Sequence, residues 1–334
     1  MLTRRQLGMT AAVLAVFLLA MNLGIAYLTR ESVPRRVLRH ALNSRAARVL
    51  ALGNSLMAAG FDESAFDSSA GLTAPEGAVN LSLGASSPVE QLLLFRYGLA
   101  HGIRPRLLVY GFYDLQLSQP TRFSSGDMIG NHAMLYYLEP IYARRFYSLS
   151  THDSLQFSAM HNVPMFADRG AIWAKVEVLR RSMAQQGMPA QKTNKFGRAA
   201  DISLLEPTNA DRFRRECEAA IQLPLASPVR ELLHQAHEAN IAIAVIEMPM
   251  PQSHRNLFYY TQSWREYVAH LRELLDPYNV TFVDASDWMK DDSLFTDSLH
   301  LSTMGAVILS QRIGKLLGPE AMSTGANQIL PRVL

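Results

Sequence analysis

Five short apolar runs, separated by more polar stretches, define the pattern of this sequence. They are rich in Val, Ile and Leu and do not alternate apolar with polar residues, which predicts strands that are buried on both faces. The runs cover residues 47–52, 78–83, 107–110, 241–246 and 280–283. Strands of this kind are typical of parallel sheets, in which helices connect one strand to the next.

Helical patterns fill the intervals between the runs. The clearest helix start is Ser87, an N-cap residue that precedes Pro88 at the first helical position and is completed by Glu90 as a capping box. The pair Ser227-Pro228 predicts a second helix start with nearly the same signal. The alternation predicts an α/β fold, a three-layer, flavodoxin-like sheet of five parallel strands with helices on both faces.

One long interval breaks this alternation. Residues from about 116 to 225 contain aromatic clusters, polar loops and a mixed helical stretch near 172–183, and they predict an inserted helical cap or subdomain. We therefore expect an α/β domain over residues 46–318 that carries this insertion, followed by a tail over residues 319–334.

The N-terminal segment predicts a membrane anchor. Residues 8–28 carry no charge, and at about 1.5 Å per residue they cross the hydrocarbon of a bilayer. An uncleaved transmembrane anchor over residues 1–29 is favoured over a signal peptide, because the apolar run is long and its cleavage site is poor. The pair Arg4-Arg5 also matches a twin-arginine export signal loosely. Residues 30–45 are a basic juxtamembrane linker, a short amphipathic helix or a solvated spacer.

Basic residues flank both ends of the apolar run, so the charge count does not give the orientation simply. Two arginines precede the run and four follow it, which by count alone argues against an external domain. These residues are Arg4, Arg5, Arg30, Arg35, Arg36 and Arg39. The short N-terminus, together with the resemblance described below, favours a domain on the outer side.

Composition excludes several classes of protein. The chain has 334 residues, 49% of them hydrophobic and 18% charged, so it can bury a full core. Its net charge of +3 comes from the arginines near the anchor, so no nucleic-acid partner is expected. Cys217 is the only cysteine, which excludes an intramolecular disulfide and a cysteine-based metal cluster. His234 and His237 are the only metal-like histidine spacing, more typical of a solvent-facing helix, and no metal or cofactor is expected.

Two short motifs carry candidate chemistry. Gly53-Asn54-Ser55-Leu56 follows the first strand, where a turn into a helix exposes a serine hydroxyl at the carboxyl edge of a parallel sheet. An ordinary N-cap serine explains that tetrapeptide as well. Near the other end of the chain, Asp297 and His300 lie three residues apart just before a helical run over 305–317, so both can lie on one face of a loop. Ser55, Asp297 and His300 together are a candidate Ser-His-Asp triad.

Together these motifs resemble the SGNH (GDSL-like) hydrolase superfamily, over roughly residues 48–317. Its first block reads Gly-Asp-Ser-Leu, so the resemblance implies that Ser55 is the nucleophile, and its last block is the Asp-x-x-His pair. Its second-block glycine is matched by Gly84. The resemblance implies an oxyanion hole formed by the backbone N–H groups of Ser55 and Gly84.

The third block departs from that superfamily. Gly111-Phe112-Tyr113-Asp114 keeps the frame of Gly-x-Asn-Asp but has Tyr113 where the oxyanion-binding Asn should lie. Loss of one oxyanion donor costs about 3 to 4 kcal/mol of transition-state stabilisation. The Tyr113 hydroxyl or the Asn54 amide could replace it.

The drifted third block and the anchor resemble one branch of the superfamily, which includes the lipoteichoic-acid D-alanylation protein and the alginate O-acetyltransferases. That resemblance implies an O-acyltransferase or acylesterase on the periplasmic side of the inner or cytoplasmic membrane. It also implies a cell-envelope or exported glycan as substrate, an acyl donor, and a multi-spanning membrane acyltransferase as partner.

Other interpretations stay open. A plain extracytoplasmic esterase or lipase fits the same motifs, and Tyr113 favours a non-catalytic envelope scaffold. The aromatic clusters Tyr136-Tyr137 and 258–260 could line a sugar-binding groove, although packing in the interior is the commoner role. Glu247, at the end of the fourth run, could orient substrate or cap the loop that follows it.

Overall fold

The structure, a computed structural model, describes most of the chain. The described residues are 3–118 and 208–322 and, between these, 138, 142, 144–147, 150–152, 154–155, 163–168, 171–173, 176 and 180. The chain divides into two compact units, one of Met1–Leu38 with Ser124–Pro189 and one of Arg39–Phe123 with Ala190–Leu334. We call them the anchor unit and the sheet unit.

The sheet unit contains five parallel strands in the order β2-β1-β3-β4-β5. This is the strand order of flavodoxin-like sheets. The strands are β1 (Val49–Leu52), β2 (Ala78–Asn80), β3 (Leu107–Phe112), β4 (Ala242–Glu247) and β5 (Val280–Asp284). Each lies in or overlaps one of the apolar runs, and the predicted fold class is confirmed.

Burial follows position in the sheet. Strands β1 and β3 are completely buried, as predicted, because each has a neighbour on both sides. Burial of β5 on both faces was a wrong prediction. This strand pairs with β4 only and is half-buried over most of its length.

Ten helices accompany the strands in the described part of the chain. They are α1 (Arg4–Leu28), α2 (Val33–Asn43), α3 (Ser55–Gly60), α4 (Glu63–Ala70), α5 (Pro88–Ala100), α6 (Pro164–Ala167), α7 (Thr208–Ala220), α8 (Ser227–Glu238), α9 (Gln262–Leu275) and α10 (Thr303–Met322). Shorter turns are the 3-10 segments Gln116–Ser118, Arg144–Phe146, Asp276–Tyr278 and Asp292–Leu294, and a turn at Gln252–His254 that continues as a π-helix over Arg255–Tyr259.

The helix starts test the capping predictions. Ser87 caps α5, and its capping box with Glu90 forms in both directions as predicted. The predicted helix start at Ser227-Pro228 is confirmed, but Ser227 is not its cap. Ser227 is itself the first helical residue, and Ala226 occupies the N-cap without a side-chain hydrogen bond. Pro228 is still accommodated in the first turn, where its missing N–H costs nothing.

The packing of the helices encloses the sheet. Helix α5 packs against α8, while α10 packs against α3 and α4. The buried apolar residues of the unit come from both these helix pairs and the strands. All five strands run parallel, so their carboxyl ends lie at one edge, where the loops that follow β1, β2, β3 and β5 bring together the candidate residues.

The chain ends add three observations. Helix α1 has 25 residues and is long and apolar enough to cross a membrane. Residues 33–43 of the predicted linker are helical, which fits the amphipathic-helix alternative. Helix α10 continues past residue 318 to Met322, and the rest of the predicted tail lies outside the described residues, as do Tyr136 and Tyr137.

Candidate active site

The turn after β1 presents Ser55 as the first residue of α3. Gly53 occupies a position with no room for a side chain, since a Cβ there would lie 2.6 Å from Met57 Cβ and 2.7 Å from the Gly111 carbonyl oxygen. The close approach of the backbone after β1 to that of β3 therefore requires glycine at 53. With glycine at this position, the end of β1 packs closely against β3 and the chain enters α3 two residues later.

Asn54 fixes this turn through its side chain. Its Oδ1 accepts a hydrogen bond from the N–H of Leu56 at 2.9 Å, which makes Asn54 the N-cap of α3. Its Nδ2 donates to Gln116 Oε1 at 2.7 Å. Asn54 is also buried, and these two bonds fix the turn that carries Ser55.

The loop before α10 presents His300 and Asp297. It is closed by a bridge between Phe295 and Leu301, and the N–H of Thr296 donates to the His300 carbonyl oxygen at 2.8 Å. Asp297 Oδ1 accepts from the N–H groups of Leu299 at 2.9 Å and of His300 at 2.7 Å. This carboxylate-to-backbone turn explains why Asp and His three residues apart share one face.

The structure brings the three candidate side chains into one hydrogen-bonded chain. His300 Nε2 lies 2.9 Å from Ser55 Oγ, and His300 Nδ1 lies 2.8 Å from Asp297 Oδ2. Ser55 and His300 are 245 residues apart in sequence. The histidine and aspartate side chains are only 13% and 19% exposed, so little water competes for these bonds.

The charge state of Asp297 assigns the donors and acceptors. Burial alone would raise the pKa of Asp297, but the hydrogen bonds from the His300 ring and from the backbone N–H groups of His300 and Leu299 outweigh it and hold that pKa below its usual value. An ionised carboxylate only accepts, so Nδ1 of His300 carries the proton and donates it. Nε2, which faces Ser55 Oγ, is then the ring nitrogen that can accept the hydroxyl proton.

The backbone beside Ser55 offers oxyanion donors. As the first residue of α3, Ser55 has an N–H without a partner in its helix, and the positive end of the helix dipole lies there. Gly84 follows β2 on a loop whose next residue, Ala85, has a φ of 57°. Among the turn and loop hydrogen bonds of the described residues, none uses the N–H of Gly84 as donor. The loop is held against the turn that carries Ser55, since the N–H of Leu83 and the hydroxyl of Ser86 both donate to the Gly53 carbonyl oxygen.

Tyr113 lies at the carboxyl end of β3 and is half-buried. Burial and the neighbouring Asp114 raise the pKa of its hydroxyl, so at neutral pH the group keeps its proton and can donate. Asn54 Nδ2 has a second hydrogen beyond the one donated to Gln116, so Tyr113 and Asn54 both remain side-chain candidates for the missing third-block donor.

A second histidine–aspartate pair lies after β3 and β4. His254 Nε2 is 3.1 Å from Asp114 Oδ1, and the Tyr259 hydroxyl donates to the same oxygen at 2.9 Å. The N–H of Asp114 in turn donates to the Tyr259 hydroxyl at 3.0 Å. His254 is buried, which the sequence did not indicate, and its contacts tie the loop after β3 to the turn after β4.

Glu247, at the end of β4, is buried rather than presented at the surface. It is 1% exposed, and Trp264 Nε1 donates to its Oε1 at 3.1 Å. Burial, and then the charge of Asp284, raise the pKa of Glu247 to about 8. At this depth it is a core carboxyl beneath the sheet edge.

Two further sequence candidates, the aromatic cluster over residues 258–260 and His234, lie in the described part of the chain. Phe258 and Tyr259 are buried, and the Tyr259 ring stacks on Trp264, while only Tyr260 is exposed, at 52%. This is the interior packing that competed with the groove interpretation. His234 lies on the exposed side of α8 and pairs with Glu238. Among the described residues, no group of His, Cys, Asp and Glu is arranged to hold a metal ion.

Gln116 contacts the turn that carries Ser55, and the sequence did not single it out. It lies five residues after Gly111 on the 3-10 turn that follows the third block. Its Nε2 is buried and has no hydrogen-bond partner among the described residues. Nothing in a single sequence marks this glutamine, because its contact with Asn54 joins two sheet-edge loops.

Comparison with known proteins adds little to this geometry. No family model and no curated protein matches the chain. A solved structure of a "putative acylhydrolase" from Bacteroides fragilis is similar to it, with a TM-score of 0.39 and 12% identity over 87% of this chain and 97% of that one. A likeness of this degree decides neither fold nor chemistry, so the function proposed for this chain depends on how it arranges Ser55, His300 and Asp297.

Proposed function

We propose that this protein is a serine acyl-transfer enzyme of the SGNH type, an esterase or an O-acyltransferase. The observation that supports it is the hydrogen-bonded chain from Ser55 Oγ through the His300 ring to the Asp297 carboxylate, with steps of 2.9 and 2.8 Å. These are the distances at which a general base activates a serine and a third group orients the base. In this proposal Ser55 is the nucleophile, His300 the general base and Asp297 the orienting carboxylate.

The reaction follows from this arrangement. Ser55 Oγ attacks the carbonyl carbon of an ester while its proton passes to His300 Nε2, and the carbonyl oxygen becomes an oxyanion. The N–H groups of Ser55 and Gly84 stabilise that oxyanion, with the Tyr113 hydroxyl or the Asn54 amide as the third donor. The intermediate then expels the alcohol, which takes the proton from His300 and leaves an acyl group on Ser55. Asp297 stays ionised and stabilises the imidazolium in between.

A second hydroxyl compound completes the cycle. His300 removes the proton of the incoming hydroxyl, whose oxygen attacks the acyl-Ser55 carbonyl, and Ser55 recovers its proton as it leaves. Water as the acceptor gives an esterase, and a sugar hydroxyl gives an O-acyltransferase. We favour a glycan of the cell envelope or an exported glycan as acceptor, on the extracytoplasmic side, with acyl groups supplied by a multi-spanning membrane protein. The support is the resemblance to the membrane-anchored branch and the length of α1.

A serine-reactive fluorophosphonate probe tests the proposal. The full-length protein in detergent should be labelled, Ser55→Ala should not, and Ser68→Ala should be labelled like the parent, since Ser68 is an exposed serine on α4. Labelling of Ser55→Ala at the parental rate would exclude Ser55 as the nucleophile. Absence of labelling in every variant, with the proteins folded, would favour the non-catalytic scaffold.

Hydrolysis and transfer are separated by the product. The protein is incubated with an activated acetyl ester, with and without soluble glycan fragments, and the acetate and acetylated sugar are measured. A transferase forms acetylated sugar at the expense of free acetate. A plain esterase releases acetate at the same rate whether or not sugar is present.

A further inference from the structure

The anchor unit contains a short helix that lies along the end of the membrane helix. Helix α6 packs against α1. Along the last two turns of α1, the less exposed residues are Asn22, Ile25, Ala26 and Thr29, and the residues between them are exposed. Their spacing of three, four and seven residues is that of one helix face, so α6 and its flanks cover a stripe while the rest of α1 stays open.

The position of this stripe sets its depth relative to the apolar run. Asn22 lies six residues before Leu28, the last helical residue of α1. At about 1.5 Å per residue this is roughly 9 Å along the helix axis. Segments that lie in the membrane–water interface reach about 5 to 10 Å into the boundary between headgroups and acyl chains. If α1 spans a bilayer, α6 lies at that depth.

The polar contacts of α6 suit a region with little water. Asn22 Oδ1 accepts a hydrogen bond from the N–H of Met165 at 3.0 Å, and its Nδ2 donates to the Leu18 carbonyl oxygen at 3.1 Å. The N–H groups in the first turn of a helix have no partner inside the helix, and in lipid they must find one elsewhere. Asn22 is the one polar residue of α1 between residues 11 and 26, and it supplies that partner.

A buried ionic contact fixes the other end of the segment. Asp168 Oδ2 accepts from Thr29 Oγ1 and from Arg35 Nη2, both at 2.7 Å, and its Oδ1 accepts from Arg35 Nε at 3.3 Å. The side chains of Asp168 and Arg35 are 0% and 28% exposed. Paired arginine bonds of this kind fix geometry as well as charge, so Asp168 holds the segment at the point where α1 ends.

Exposed apolar side chains follow this contact. The N–H of Ile172 donates to the Asp168 carbonyl oxygen, which places Trp173 about one turn beyond Asp168. Trp173 is 71% exposed and Val176 is 49% exposed. Tyr27, near the end of α1, is 63% exposed with the Arg30 guanidinium 4.3 Å from its ring centre. Tryptophan and tyrosine with arginine at a helix end are typical of the membrane–water interface.

We propose that residues 163–168 and 171–173 form a second membrane contact, which lies in the headgroup zone of a phospholipid bilayer beside the end of α1, with Trp173 in lipid. The open face of α1 is the lipid-facing surface of the anchor, and this segment continues it. The inserted region then serves, over these residues, to hold the protein at a fixed depth at the membrane surface.

Tryptophan fluorescence of the full-length protein in phosphatidylcholine–phosphatidylglycerol vesicles tests this. The difference between the parent and Trp173→Phe isolates Trp173 from Trp264 and Trp288. We expect this difference signal to be quenched by lipids brominated near the headgroup and to resist aqueous acrylamide. In Asp168→Ala, which removes the partner of Thr29 and Arg35, we expect acrylamide quenching of Trp173 to increase while the protein stays in the vesicles.

A spin label at Val176→Cys gives an independent readout if a tryptophan variant folds poorly. The native Cys217 is buried, so the label attaches at the new cysteine. Relaxation by oxygen in excess of relaxation by a water-soluble nickel complex supports lipid contact. Trp173 quenched by acrylamide but not by brominated lipid, or a label relaxed mainly by nickel, overturns the proposal. Shielding seen in native membranes but lost in pure lipid vesicles also overturns it and assigns the surface to a protein partner.

Discussion

Gln116 Oε1 accepts a hydrogen bond from Asn54 Nδ2 at 2.7 Å, and Asn54 caps the helix on which Ser55 is the first residue. Asn54 Oδ1 accepts from the N–H of Leu56, so its amide is oriented with Nδ2 toward Gln116. The loop that follows β3 therefore supports the turn that carries Ser55. We infer that Gln116 is a positioning residue, which acts on Ser55 through Asn54.

Substitution of Gln116 should lower kcat more than it changes KM. In Gln116→Ala the buried Nδ2 of Asn54 loses its acceptor, at a cost of about 1 to 2 kcal/mol, which corresponds to a loss in rate of roughly 5- to 30-fold if it falls on the transition state. Gln116→Glu keeps an acceptor for Asn54 and should recover part of kcat. Steady-state hydrolysis of an activated ester measures both constants.

The matched control for this series is Gln311→Ala, an exposed glutamine on α10. Its kinetics should equal those of the parent. Positioning by Gln116 is contradicted if Gln116→Ala matches Gln311→Ala, or if it raises KM while leaving kcat unchanged.

The His300–Asp297 pair gives a second prediction. Asp297→Asn replaces the acceptor of the Nδ1 proton with an amide that can turn its N–H groups toward the ring, and this favours the wrong tautomer of His300. In well-studied triads such a change lowers kcat by about 10⁴ with little change in structure. Because His300 is only 13% exposed, His300→Gln is a gentler test than alanine and should abolish probe labelling of Ser55.

Both variants should unfold at temperatures near that of the parent, as measured by circular dichroism. A fully active Asp297→Asn protein would remove that carboxylate from the mechanism. A fully active His300→Gln protein would require another base for Ser55.

Tyr113 gives a third prediction, directed at the departure from the family pattern. If its hydroxyl donates to the oxyanion, Tyr113→Phe should lower kcat by roughly 10² to 10³. Tyr113→Asn introduces the donor type that the third block normally carries and should retain more activity than the phenylalanine variant. Equal kcat for the parent and Tyr113→Phe would exclude the Tyr113 hydroxyl as an oxyanion donor.

The fold was predictable from the sequence because the burial of each strand determines which of its positions are apolar. Strands β1 and β3 are buried on both faces, so their apolar runs are continuous and identify a parallel sheet without any tertiary information. The cap at Ser87 was predictable for the same reason, since all its partners lie within four residues. The capping role of Ser227 was not predictable, because a serine before proline is compatible with either the N-cap or the first helical position. The geometry of the preceding chain decides between the two positions.

The site was predictable only in part. Asp297 and His300 are close in sequence, and a local turn holds them on one face. Their contact with Ser55 was expected only from the family resemblance. Ser55 and His300 are 245 residues apart, and the topology of the sheet, not a local pattern, brings them to one edge. Gln116 and His254 were missed because each acts through a contact between separate loops, with Asn54 and with Asp114, that no local pattern encodes.

Glu247 gives a prediction about stability and pH. Its pKa is raised to about 8 in the folded protein, mainly by burial, whereas the ordinary value is 4.5. Between these values the folded chain holds a proton that the unfolded chain releases, so the free energy of unfolding should fall as pH rises through the window and level off above about 8. The fall from this group is at most about 1.4 kcal/mol per pH unit.

Glu247→Gln is neutral at every pH and keeps an acceptor for Trp264, so it should remove this slope. Urea unfolding in detergent at about pH 5 and about pH 8 measures the effect, with Glu273→Gln on the exposed side of α9 as control. We expect Glu247→Gln to be more stable than the parent near pH 8 and to lose that advantage near pH 5. If the free energies of unfolding of the parent and of Glu247→Gln instead differ by the same amount at both pH values, Glu247 is ionised in the folded protein.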